Sequence, residues 1–112
     1  GDAIYRAVSG CVNSQPYLSG IFDLTYRLDM TARALKDLGR EDIKLVGFDL
    51  FGEIEQDIAA GVIDAVVYQD LSRQAYLGIK ILFEEMCYGI RHEEKKFYSK
   101  LEIVMSENLC YF

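Results

Sequence analysis

Two short β-branched runs, each stopping on a polar side chain, constrain this chain more than any other feature: Lys44-Leu-Val-Gly-Phe-Asp49 and, further along, Ala65-Val-Val-Tyr-Gln69. Between them Phe51, Ile54 and Ile58 recur at helical spacing and Gly61 supplies a stop. A strand–helix–strand unit this short closes through a right-handed crossover, which makes the two strands parallel neighbours. In an open parallel sheet, ligands are held at the carboxyl ends of the strands, so Asp49 and Gln69 become candidate binding residues. Each has a structural alternative. Asp49 stands where a helix over residues 50–60 would want an N-cap, and Gln69 simply ends a strand beside Asp70.

The same alternation extends in both directions. Ile4, Val8, Cys11 and Val12 mark a helix over residues 2–14, and Pro16 stops it before a short strand at 18–22. A helix at 26–38 follows, with Leu28, Leu35 and Leu38 on one side and Gly39 as its C-terminal stop. The second strand is read at 43–48 and the third at 62–68. Residues 71–90 form a long helix whose stripe of Leu71, Tyr76, Ile79, Phe83, Met86 and Ile90 is widened by Leu77, Ile81 and Tyr88. A helix apolar around so much of its circumference needs cover on more than one side, more than three small βα units supply. Residues 91–96 read as a solvated charged connector, and residues 101–105 as a final strand with alternating sides. The fold class is therefore α/β, a parallel sheet with flanking helices, expected to form one domain.

Several functions are excluded on chemistry. Twelve basic residues against eighteen acidic ones give a net charge of −6, with no basic cluster interleaved with aromatics, so this segment makes no direct nucleic-acid contact. No apolar run is long enough to span a bilayer, and no charged start with an apolar h-region is visible. The one histidine, His92, sits in the charged connector and reads as an exposed surface residue, which leaves no base for a nucleophile. Catalysis is not expected. Glu53, Glu55 and Asp57 read as an exposed acidic face rather than a metal or paired-acid site, and no metal or cofactor is expected. Cys11, Cys87 and Cys110 form no C-x-x-C pair and are expected as buried thiols, which favours a reducing, cytoplasmic setting.

With these parts in order, the chain resembles the effector-binding domain shared by lactose-repressor-like transcription regulators and the ribose-binding group of periplasmic sugar-binding proteins. The resemblance is carried by Ala34-Leu-Lys-Asp-Leu-Gly39, Leu45-Val-Gly-Phe-Asp49, Ile58-Ala-Ala-Gly-Val-Ile-Asp-Ala-Val-Val-Tyr-Gln69, Gln74-Ala-Tyr-Leu-Gly78 and the closing Leu101-Glu-Ile-Val with Glu107-Asn-Leu109. It covers nearly the whole chain but only the later part of the family's domain. The resemblance therefore implies a fragment, residues 1–112 being most of the C-terminal lobe of a type I periplasmic-binding-protein-like fold. Helix 71–90 would then pack on a missing N-terminal lobe.

In that family two lobes close over a sugar or a similar polar ligand. Asp49 matches the aspartate that bonds sugar hydroxyls, and Gln69 the glutamine at the third strand end. The first strand departs from the pattern: where the family carries Asn-Asp, this chain has Asp23-Leu-Thr-Tyr26, so Asp23 or Thr25 is the candidate substitute contact. The resemblance implies a small-molecule effector, a homodimer, and DNA binding through a separate segment, as in a cytoplasmic lactose-repressor-family regulator. The alternative is a periplasmic sugar-binding protein of a transport system, which upstream sequence distinguishes by a signal peptide in place of a helix-turn-helix. A phosphoacceptor receiver domain also ends a strand on Asp, but it needs clustered acids after its first strand and a later lysine, where this chain offers Asp23 alone and the uncharged Gln69.

Overall fold

A computed structural model describes residues 2–112. Along the chain run α1 (Asp2–Ser14), β1 (Gly20–Phe22), α2 (Leu28–Asp37), β2 (Lys44–Phe48), α3 (Glu53–Ala59), β3 (Ala65–Tyr68), α4 (Leu71–Tyr88), β4 (Glu102–Val104) and a closing 3₁₀ turn (Leu109–Tyr111). This is the expected α/β order, and the sheet order is β1-β2-β3-β4. β1 and β2 pair in parallel with Phe22 opposite Val46, and β2 and β3 pair in parallel with Phe48 opposite Val67. The chain divides into two compact units, one reaching to Tyr68 and resuming at Ile103–Phe112, the other Gln69–Glu102.

The core lies in the first unit. Leu28, Ala32 and Leu35 of α2, Ile54 and Ile58 of α3, and Leu45 and Val66 of the strands are buried together with Val12, Ile43, Val62, Ile63 and Val104. Gly47 lets α2 approach β2: a Cβ there would lie 2.6 and 2.7 Å from the two methyl carbons of Leu28. Both predicted glycine stops act as read. Gly39 (φ 65°) closes α2 through Gly39 N–H to Lys36 O and Arg40 N–H to Leu35 O, and Gly61 (φ 81°) closes α3 the same way.

The element ends differ from the sequence reading for identifiable reasons. β3 starts at Ala65 because the amides of Val62 and Ile63 both donate to Asp57 O, closing α3 instead of joining the sheet. Asp64 then extends the β2–β3 pairing with its side chain, accepting from the Leu45 amide at 2.9 Å. β1 is shortened likewise, the Leu18 amide being engaged with Gln15 O in the turn after α1. α3 begins at Glu53 because Asp49 (φ 69°) and Gly52 (φ 45°) are both left-handed and cannot continue a helix.

Three side-chain expectations are corrected. Asp57 is buried rather than part of an exposed acidic face, its carboxylate accepting from Lys36 Nζ at 2.8 Å where α3 meets α2. All three cysteines are free and exposed, Cys87 on α4, where no residue is buried. His92 is half-buried, its Nε2 3.2 Å from Glu84 Oε2 and its ring edge-on to Phe97, so residues 91–96 are not uniformly solvated.

In the second unit Asp70, left-handed at φ 49°, caps α4 by accepting from the Arg73 amide. None of α4's residues is buried, and Tyr76, Ile79, Leu82, Phe83, Met86 and Tyr88 are all exposed. The cover that its composition demands is not supplied among the described residues. No helix among them is long and apolar enough to cross a membrane.

Candidate functional site at the carboxyl edge of the sheet

Each of the three parallel strands is followed at once by a polar residue: Asp23 after β1, Asp49 after β2, Gln69 after β3. The ladder runs one residue past the strand ends. Asp23 N–H donates to Val46 O at 2.8 Å and Asp49 N–H to Val67 O at 3.0 Å, so both carboxylates leave the backbone at the same edge. Parallel register produces this alignment, since like ends of the strands lie side by side. Gln69 opens the second unit, and its carbonyl accepts from Gln74 Nε2 at 2.7 Å and Ser99 Oγ at 3.2 Å, which fixes the turn into α4.

Asp49 is half-buried and is not the helix cap that its position suggested. The N-cap of α3 is Gly52, three residues on, with no side-chain cap bond. Aspartate at 49 instead suits the left-handed backbone at this strand end, a conformation that Asp and Asn tolerate better than other side-chain-bearing residues.

Asp23 is only 6% exposed and organises the β1–α2 loop. One oxygen accepts from the Thr25 amide at 2.7 Å and the other from the Thr31 hydroxyl on α2. Thr25 Oγ1 in turn accepts from the Arg27 amide at 3.1 Å. Thr25 is exposed and its hydroxyl keeps a proton to donate. Arg27 then forks onto Asp29, Nε to Oδ1 at 3.0 Å and Nη2 to Oδ2 at 2.9 Å. The Arg27 guanidinium holds the Asp29 carboxyl below its ordinary range, and hydrogen bonding to Asp29 raises the guanidinium's own value, with a smaller contribution from Glu53 at the start of α3.

The sequence reading missed this loop staple. The available signal was spacing: Asp23-x-Thr25 and Thr25-x-Arg27 are the i to i+2 offsets at which short polar side chains bond local amides. Of the two carboxylates at this edge, Asp23 already accepts through both oxygens within the fold. Among the described residues no group of His, Cys, Asp and Glu is placed to hold a metal ion.

Solved structures place this architecture. A protein assigned as a LacI transcriptional regulator from Bacteroides fragilis superposes with a TM-score of 0.88 at 17% identity, covering 96% of this chain and 37% of its own. The chain has the type I periplasmic-binding-protein fold, in part. An ABC transporter solute-binding protein from Agrobacterium vitis, bound with α-D-tagatopyranose, shares the fold at a TM-score of 0.84 and 18% identity over 95% of this chain and 36% of its own. A Caulobacter myo-inositol binding protein bound to myo-inositol does so at 0.84 and 21%, over 98% and 38%. This chain thus spans a little over a third of the length of the solved chains it matches. No family model and no curated protein matches the sequence.

Proposed function

We propose that this chain is part of the effector-binding domain of a lactose-repressor-family transcriptional regulator, with a sugar or similar small polar molecule as effector. The observation that carries this reading is the acceptor edge itself: Asp23 and Asp49 aligned by parallel register at the strand ends, in a type I periplasmic-binding-protein fold. Asp49 accepts from ligand hydroxyls, Gln69 donates and accepts through its amide, and Asp23 and Thr25 complete or position the first-strand contact. A second lobe supplies the opposing wall. Closure is favoured only by the ligand's greater affinity for the closed state, and closure alters how a separate DNA-binding segment is held. The domain works without catalysis, metal or cofactor, in a cytoplasmic homodimer whose DNA contacts lie outside this segment.

The second reading, a transport binding protein, is favoured by the solute-binding neighbours. The complete open reading frame separates the two: a helix-turn-helix supports the regulator and a signal peptide the transporter. Calorimetry of the complete gene product against monosaccharides and inositols tests what both share. Saturable binding that weakens in Asp49→Asn is the expected result, and no binding across the panel would overturn both.

A further inference from the structure

The end of α4 turns the chain back along its own helix. Gly89, left-handed at φ 63°, and Ile90 both donate their amides to Glu84 O, which closes the helix and redirects the connector. Residues 91–100 then run exposed, with two exceptions, His92 and Ser99. Those two side chains are the ones that reach α4 and its cap. Ser99 Oγ donates to Gln69 O at 3.2 Å, just before α4 starts, and His92 Nε2 lies 3.2 Å from Glu84 Oε2 in the last turns of the helix. The connector is thus fastened at two points along α4.

The two fastenings differ in chemistry. Ser99 bonds through a neutral hydroxyl, whereas His92 Nε2 is shielded from solvent and makes no aligned hydrogen bond among the described residues, although a carboxylate oxygen stands beside it. Such a contact depends on charge: an imidazolium attracts the carboxylate, and a neutral ring gains little from it. Glu84 is the charged group that faces the ring from α4, its other oxygen standing 3.9 Å from Lys80 Nζ. On the connector itself Arg91, Glu93 and Glu94 are exposed, and the ring of Phe97 stands edge-on to the imidazole at 5.8 Å. We propose that His92 is a pH-dependent clasp: protonated, it holds the connector against α4 through Glu84, and on losing its proton it releases residues 91–98 while Ser99 stays bonded. The grip is therefore present at mildly acid pH and lost as pH rises through the range in which histidine gives up its proton.

Trypsin cleavage after Arg91, Lys95 and Lys96 reads the clasp directly, because cutting requires the connector to leave the helix. Rates on the complete gene product, followed by mass spectrometry between about pH 6 and pH 8, are divided by those of a free peptide of residues 86–100 to remove the protease's own pH profile. In the parent protein this ratio is expected to rise at least about threefold across that range, the connector being released as His92 deprotonates. His92→Gln cannot take up the proton and Glu84→Gln cannot attract it. In each variant the ratio is expected to stay nearly level with pH, at or above the parent's value at the upper end. Circular dichroism checks that the variants fold, and either one suffices alone. A level ratio in the parent, or a rise that persists in a folded variant, overturns the inference. No ligand enters the measurement, so its failure would leave the sugar-binding reading standing, and failure of that reading would leave the clasp.

Discussion

Replacing Gly47 by alanine tests how closely α2 is set on β2, and through α2 the loop that frames the site. The added Cβ would lie 2.6 and 2.7 Å from the Leu28 methyl carbons and 3.1 Å from its Cγ. Carbon atoms in good contact stand roughly 3.5–4.0 Å apart, so about 1 Å must be found. Leu28 is 1% exposed and cannot swing into solvent. The first turn of α2, which carries Asp29 and Thr31, has to move instead. Overpacking of this kind costs about 1–3 kcal/mol. Leu28→Ala alone is expected to cost about 2–5 kcal/mol through the cavity it leaves. In that background the methyl group introduced by Gly47→Ala occupies part of the vacated space, so the double variant should be no less stable than Leu28→Ala by itself. Urea denaturation of the four proteins, followed by circular dichroism, gives the coupling directly. Two costs that add to within about 0.5 kcal/mol would refute the close approach of these residues.

The acceptor role proposed for Asp49 predicts that Asp49→Asn loses about 1.5–3 kcal/mol of ligand binding in the complete gene product, measured by calorimetry. Asn tolerates the left-handed backbone at φ 69°, so the fold is retained, whereas Asp49→Ala should add a stability cost of roughly 1–2 kcal/mol. The Asp29 carboxyl is held low by Arg27, so its ion pair stabilises the fold above the ordinary carboxylate range and is lost as pH falls through the depressed value. Urea midpoints between neutral and strongly acid pH should therefore fall less steeply in Asp29→Asn than in the parent chain. The chain of 112 residues alone should self-associate through α4, and Ile79→Lys with Met86→Lys should shift sedimentation toward monomer. The same isolated chain should bind monosaccharides no more tightly than about millimolar, because a few solvated hydrogen bonds at about 0.5–1.5 kcal/mol each reach no further. Saturable micromolar shifts of the Asp49 amide in an NMR titration would mean that one lobe suffices.

By itself the sequence determined the element order, the parallel sheet and the polar residues that follow its strands. All three follow from local chemistry. β-Branched runs favour strands, helical periodicity and glycine stops favour helices, and short crossovers admit only one handedness. Asp49 was legible as a strand-end carboxylate, and α4 as a helix in need of cover. Tertiary structure decided which polar groups are already engaged. At Asp49 the sequence pattern suggested a cap, but left-handed backbone at Asp49 and Gly52 delays α3, and the capping role appears instead at Asp70. Asp23 read as a candidate ligand contact and Asp57 as part of an exposed acidic face, yet both are buried, because Thr31 and Lys36 reach them from α2 only once that helix lies over the sheet. Hydrogen-bond partners eight and twenty-one residues apart leave no periodic trace in a sequence, so the engagement of Asp23 and Asp57 became visible only when the chain was folded.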